Sequence, residues 1–365
     1  MPDYGRPLRF GSFISPVSQP PRRPVDLAVL SEDLGLDLVT FQDHPYQAAL
    51  HDTWTLLTWV AARTSHIHVA GNVLNLPLRQ PAVLARALAS LDLLSDGRAE
   101  LGIGSGGYFD AMASMGAPLL TPAEAVSGLD EALDIVRGIW DVEATTALRV
   151  EGRFHRVDGV QRGPATARRI PIWVGAYKPR MQRMIGRKGD GWLPSLPWLQ
   201  PGGVAEGNRI IDDSARRAGR DPGDIARLLN IVPPVSAEQM ARLAIEDGVS
   251  TFILGSDDPG ELRRFAEVTV PEIRDRVENA RAGSGHAATT TPPAPSMAPA
   301  LAGDPGAAVT GCACTGSRRP GLRRVHVGVL PGGPPRHGAE TAVARSGTGR
   351  CAVRRPAPRR AAGRP

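Results

Sequence analysis

Before residue 312 the chain contains no cysteine; Cys312, Cys314 and Cys351 all fall near the C-terminal end. That excludes a disulfide framework and a cysteine-ligated metal from the main body. Cys312-Ala313-Cys314 is one residue short of a CxxC pair and has no second pair to join. Lysine is almost missing too: Lys178 and Lys188 are the only two, and arginine carries the positive charge. A GC-rich genome produces that bias, so the arginine count alone does not point to a phosphate ligand. Long apolar runs are also absent. No stretch approaches the roughly 20 residues that span a bilayer, and MPDYGRPLRF has no signal-peptide apolar region. The expectation is a cytoplasmic protein with no membrane partner.

The formal charge of the 365 residues is +6, unevenly placed. From Ser284 onward twelve Arg face only Asp304 and Glu340, a surplus of +10, so the body carries −4. Composition changes at the same point. TTTPPAPSMAPALAGDPGAA is low complexity, and Arg, Gly and Pro follow without periodicity. The reading is a folded domain over 1–282 and a disordered tail over 283–365. RNA or an acidic partner would have only that tail to bind, so nucleic acid is not expected as a partner of the body.

Residues 8 to 278 alternate between short apolar runs and amphipathic segments. Strands are expected at Leu8–Ile14, Leu36–Phe41, Ile67–Leu74, Arg98–Ile103, Ile170–Val174, Gly191–Leu193, Ile225–Val232 and Thr251–Leu254, each followed by a helix. Thr121-Pro122 with Glu124 marks one helix start and Pro81 another. Glu261–Val277 reads as the closing helix. Eight such units in about 270 residues are the size of a (β/α)8 barrel. An open doubly wound sheet would want a glycine fingerprint after the first strand, and Phe13-Ile14-Ser15-Pro16 is not one. Residues 145–160 interrupt the alternation and read as an inserted hairpin.

In a barrel, function collects where strands end. The second strand runs into Asp43-His44-Pro45, and Pro45 cannot continue the ladder. Asp43 and His44 are then either a turn with a backbone-binding Asp or a pair delivered to a site. Asn72 and Asn75 interrupt the apolar third strand. A buried amide needs partners, so Asn72 and Asn75 either satisfy a bulge or offer a polar handle to a planar heterocycle. Gly102, Gly104, Gly106 and Gly107 crowd the end of the fourth strand, and Gly175-Ala176 precedes Lys178 at the helix start after the fifth. Both junctions admit an anion, or the glycines serve packing. Phe13, Tyr46, Tyr108, Trp192 and Trp198 are candidate substrate walls, each equally readable as core.

The phrases FQDHPY, NVLNLPLRQPAVLARALASLDLLSDGRAELGIGSGG, PIWVGAYKPRM and GRKGDGWLPS together resemble the bacterial luciferase-like superfamily of flavin- or deazaflavin-dependent oxidoreductases. The resemblance covers residues 8 to about 280 and none of the tail. It implies a (β/α)8 barrel with F420, or alternatively FMN, at the carboxyl ends of the strands. A third-strand bulge at Asn72-Val73, often a non-proline cis peptide in the family, would support one ring face, and Asn75 would reach the ring edge. His44 would touch the reacting atoms as the catalytic residue, with Asp43 anchoring the ring side or the turn. Gly104, Ser105, Gly106 and Gly107 would line the cofactor beyond its ring, and Gly175, Ala176 and Tyr177 would meet its phosphate. The family's sugar-phosphate dehydrogenases carry an acidic Glu where this chain has Gly107, which argues against that activity. The stretch VPPVSAEQ leaves a short loop where monooxygenases often carry a lid. The expected activity is hydride transfer or monooxygenation of a small organic substrate, in a homodimer. A non-catalytic flavin-binding relative is the alternative.

Overall fold

The computed structural model describes residues 2–283, so every expectation for the tail lies outside the described residues. Eleven strands form within them. These are β1 Arg9–Ile14, β2 Leu38–Phe41, β3 His68–Gly71, β4 Leu74–Asn75, β5 Ala99–Gly104, β6 Leu148–Glu151, β7 Arg156–Val160, β8 Ile172–Val174, β9 Gly191–Trp192, β10 Ala226–Ile231 and β11 Thr251–Gly255. Helices α1 Arg23–Asp33, α2 Thr53–Arg63, α3 Pro81–Leu94, α4 Phe109–Ser114, α5 Pro122–Trp140, α6 Pro179–Lys188, α7 Gly203–Arg217, α8 Ala237–Asp247, α9 Pro259–Arg264 and α10 Val270–Gly283 connect or follow them.

Nine strands form one parallel sheet in the order β3-β2-β1-β11-β10-β9-β8-β5-β4, and pairing of β3 with β5 closes it. β3 and β4 share the third barrel position: Val69 pairs with Ala99 and Leu74 with Ile103, both on β5. The result is a closed eight-position (β/α)8 barrel whose third strand is broken at Asn72-Val73. That peptide bond is cis. The inserted hairpin forms as β6 with β7, antiparallel. Glu131 of α5 holds its turn by accepting from the backbone N–H groups of Arg153, Phe154 and His155.

Strands of such a barrel are covered on both faces, which is why they read as continuous apolar runs. β2 shows the consequence. Leu38 faces the small cluster inside the barrel with Ala70, Trp173, Leu193, Leu228 and Ile253. Val39 and Phe41 face the helices. The two-residue period of a strand produces this division. Helix starts follow local rules: Thr121 and Glu124 form a reciprocal capping box at α5. The floor of the barrel is plugged by the buried Glu100 carboxylate, met by His68 at 2.9 Å, Arg168 at 3.1 Å and Arg9 at 3.3 Å. The opposite end, where the strands finish, is left for the site.

Three local expectations change. α4 forms inside the glycine-rich stretch where no helix is predicted. The closing helix widens to a π turn over Phe265–Thr269 between α9 and α10. Trp192 is core: it is 1% exposed, its Nε1 donates to the Ala176 carbonyl, and a Cβ on Gly207 would strike its ring. An indole packed so tightly against a helix backbone is not available to a substrate.

Candidate active site

A cleft of about 690 Å³ opens over the carboxyl ends of the strands. Its lining gathers Asp43, His44, Asn72, Val73, Asn75, Gly104, Ser105, Gly106, Gly107, Gly175, Ala176 and Tyr177, the residues that the family resemblance assigns to a site, from four strand ends; Gly102 instead packs against the Gly71 carbonyl. Phe13, Tyr46, Tyr108 and Trp198 line it as well; Trp192 does not.

The chain leaves β2 at Phe41 and turns at once. Asp43 points into the protein: its Oδ2 accepts from the Asn75 backbone N–H at 2.8 Å and from Arg79 Nε at 2.9 Å, and its Oδ1 from Arg79 Nη2 at 2.8 Å. Both carboxylate oxygens are occupied, so Asp43 anchors β4 and the turn after it. A bidentate guanidinium–carboxylate fork fixes direction as well as distance. His44 is half-buried beside it. Its Nδ1 lies 2.5 Å from the Tyr46 hydroxyl, and the Tyr108 ring stands edge-on to the imidazole at 5.6 Å. Its Nε2 has no hydrogen-bond partner among the described residues. Burial lowers the His44 pKa, with the charge of Asp43 only partly opposing. Burial, with Tyr108 and Asp43 adding to it, pushes the Tyr46 hydroxyl up to about 12. At neutral pH the pair is therefore a neutral imidazole against a protonated phenol.

The broken strand sets the floor. The Asn72 amide is engaged inside the barrel: it donates to Thr40 Oγ1 and Asn230 Oδ1, and accepts back from Asn230 at 3.0 Å. Asn230 also donates to Ser195 Oγ. Asn72 lines the cleft, but its side chain is no free handle. Val73 instead carries the floor. A Cβ on Gly104 would sit 2.7 Å from a Val73 methyl, and one on Gly175 3.2 and 3.3 Å from its two methyls. The two glycines let the isopropyl group lie between the ends of β5 and β8. Their first service is thus to Val73, a packing role the glycine-rich spelling alone does not distinguish from anion binding. The Asn75 side-chain oxygen is buried and accepts no hydrogen bond from the described residues. Gly107 has open space where a side chain would stand. Tyr177 is held in place by the Ser195 N–H, which donates to its hydroxyl.

Sequence reading passes over Arg79, Ser195 and Asn230. Arg79 follows the apolar Leu76-Pro77-Leu78, and Asn230 stands near the end of a wholly buried β10, where a polar residue needs a partner. Both were detectable as anomalies of burial. Among the described residues no cluster of His, Cys, Asp and Glu could hold a metal ion, and no helix is long and apolar enough to cross a membrane.

Comparison with known proteins agrees with this arrangement. The family model for luciferase-like monooxygenase matches residues 8–325. An F420-dependent glucose-6-phosphate dehydrogenase of Kineococcus radiotolerans is 34% identical over 197 residues, which span 52% of this chain and 57% of that protein. One of Nakamurella multipartita is 30% identical over 294 residues, spanning 70% and 85%. Among solved structures, an F420-dependent secondary alcohol dehydrogenase in complex with an F420-acetone adduct shares the fold with a TM-score of 0.65, over 74% of this chain and 100% of that one, at 18% identity. A match from the first barrel strand to beyond the last, on a barrel whose third strand breaks beneath the cleft, means that this chain belongs to the luciferase-like monooxygenase family.

Proposed function

We propose that the chain binds F420 in this cleft and moves a hydride to or from a small organic substrate, with His44 handling the accompanying proton. It is an oxidoreductase of the luciferase-like class. The observation that carries the cofactor reading is the floor. Val73 is seated between two glycines that a Cβ would fill, with an unpartnered buried amide oxygen on Asn75. A flat apolar ledge beside an unsatisfied amide suits a planar heterocycle with polar edges. The F420 dependence of the relatives named above supports the choice of cofactor over FMN.

When bound, F420 supplies a two-electron hydride donor or acceptor. The rest is the protein's task. Val73 and Asn75 would hold the ring; Gly104, Ser105, Gly106 and Gly107 would line the part beyond it, and Gly175, Ala176 and Tyr177 the phosphate. Hydride transfer at a carbon bearing oxygen requires that a proton leave or reach that oxygen. His44 Nε2 is the nitrogen free to do this. The Tyr46 hydroxyl either donates to or accepts from Nδ1, so it steadies whichever tautomer the direction of reaction demands. Tyr46 and Tyr108 both pack against the imidazole.

Gly107 bears on the substrate. The family resemblance implies a glutamate acid at this position in the sugar-phosphate dehydrogenases, whereas Gly107 leaves open space there. His44 is then the group assigned to the proton, and the apolar walls of Phe13, Leu193 and Trp198 favour a substrate less polar than a sugar phosphate. Titrating the protein separately with F420 and FMN, each followed by its own visible absorbance, tests the reading. Saturable binding of F420 with weaker FMN binding is expected. Tight FMN binding without F420 binding would replace it with flavin monooxygenation.

A further inference from the structure

Helix α6 is unlike the rest of the body. Its ten residues, PRMQRMIGRK, hold four cations and no acid, in a body that carries −4 overall. Arg180, Arg183 and Arg187 recur at spacings of three and four and so share a face. With Val126, Asp130 and Met184 they line a groove of about 130 Å³ between α5 and α6. Lys178, the N-cap of α6, lines the cleft. Lys178 of the cleft and Arg180 of the groove stand two residues apart, at a helix N-terminus whose peptide dipoles also favour negative charge.

Part of this charge has a structural use. Arg180 donates to the Ala123 carbonyl and to Ser127 Oγ, both at 2.7 Å, which ties it to α5. Lys188 pairs with Asp134 at 2.7 Å and with Asp130 at 3.1 Å, and Arg187 lies 3.6 Å from the same Asp130. The one acid of the groove is thus already neutralised. The side chains of Lys178 and Arg183 make no hydrogen bond or ion pair among the described residues. Packing does not explain them.

We propose that this groove receives the oligoglutamate tail of F420. The inference rests on the F420 reading above. F420 differs from FMN beyond its phosphate, where it continues into linked glutamates with a carboxylate on each. A phosphate near Gly175–Tyr177 directs that chain past Lys178 onto Arg180, Arg183 and Arg187, a run of roughly 10 Å along the helix. Guanidinium groups suit carboxylates because their paired N–H donors match the two oxygens.

The test compares dissociation constants for F420 carrying several glutamates and for the glutamate-free form that keeps the phosphate. Wild-type protein is expected to bind the tailed form about tenfold more tightly at low salt, the combined size of a few exposed charge pairs, with the gap closing as salt rises. Arg183→Glu should erase the gap while holding affinity for the glutamate-free form within about twofold, and Arg183→Lys should keep most of it. Equal affinity for both forms in wild type, or a gap that survives Arg183→Glu, overturns the tail site and leaves the cofactor reading standing. Binding of neither form overturns both.

Discussion

His44 is the residue on which the proposed chemistry turns. His44→Ala should leave F420 affinity within a few-fold and lower turnover by roughly 10²-fold, the size of a general acid–base contribution. His51 and His68 are the controls. His51 bonds the Pro21 carbonyl, and His68 sits at the barrel floor against Glu100; replacing His51 should leave turnover unchanged. The pH profile follows from burial. The folded-state pKa of His44 is lowered, so the imidazole stays neutral to a pH below its ordinary value of about 6.5. In the direction in which His44 accepts a proton, kcat/KM should be full at neutral pH and fall only as pH drops through that lowered value. An acidic limb centred above 6.5 would contradict the burial argument. By linkage the same shift removes a little stability as pH falls below the unfolded value, because the unfolded chain takes up the proton first.

Strand β4 is only two residues long, yet it holds the floor of the cleft, and what secures it is the Asp43 carboxylate. Its side chain is fully buried and that of Arg79 is 16% exposed. Asp43→Ala should therefore destabilise the fold by about 3 kcal/mol, the cost of leaving one member of a buried pair alone. A denaturant midpoint unchanged from wild type would show that β4 is held by packing. The ends of β5 and β8 answer to Val73. Gly175→Asp would press its Cβ on the Val73 methyls and bring a carboxylate to the cleft. F420 affinity should fall by roughly tenfold or more, since like charges at partly buried separations cost several kcal/mol. The thermal transition should stay near wild type, because the contact made is with the end of a side chain.

The barrel closes within the described residues: β1 pairs with both β2 and β11, and α10 ends the region at Gly283. A chain of residues 1–282 should accordingly unfold in one cooperative thermal transition. Absence of that transition, with full-length protein showing it, would make residues beyond 282 part of the fold. The family match to residue 325 makes the experiment worth doing.

Much of this architecture is written locally. The helix starts expected at Pro81 and at Thr121-Pro122 form as α3 Pro81–Leu94 and α5 Pro122–Trp140, because amphipathic spacing, an early proline and a capping residue act within one or two turns. The convergence of the candidate residues is legible for a related reason: parallel strands in a barrel all end on one face, so Asp43-His44, Asn72-Val73 and the glycines of β5 and β8 meet there. Partner choice is another matter. Asn72 bonds Asn230 from 158 residues away, and that pairing removes its amide from the cleft. Asp43 turns inward because Arg79 meets it. Trp192 is core because Gly207 leaves room for its ring on α7. No periodicity within a segment encodes these contacts. They exist only once the sheet has closed and its register has set which side chains face each other across the barrel.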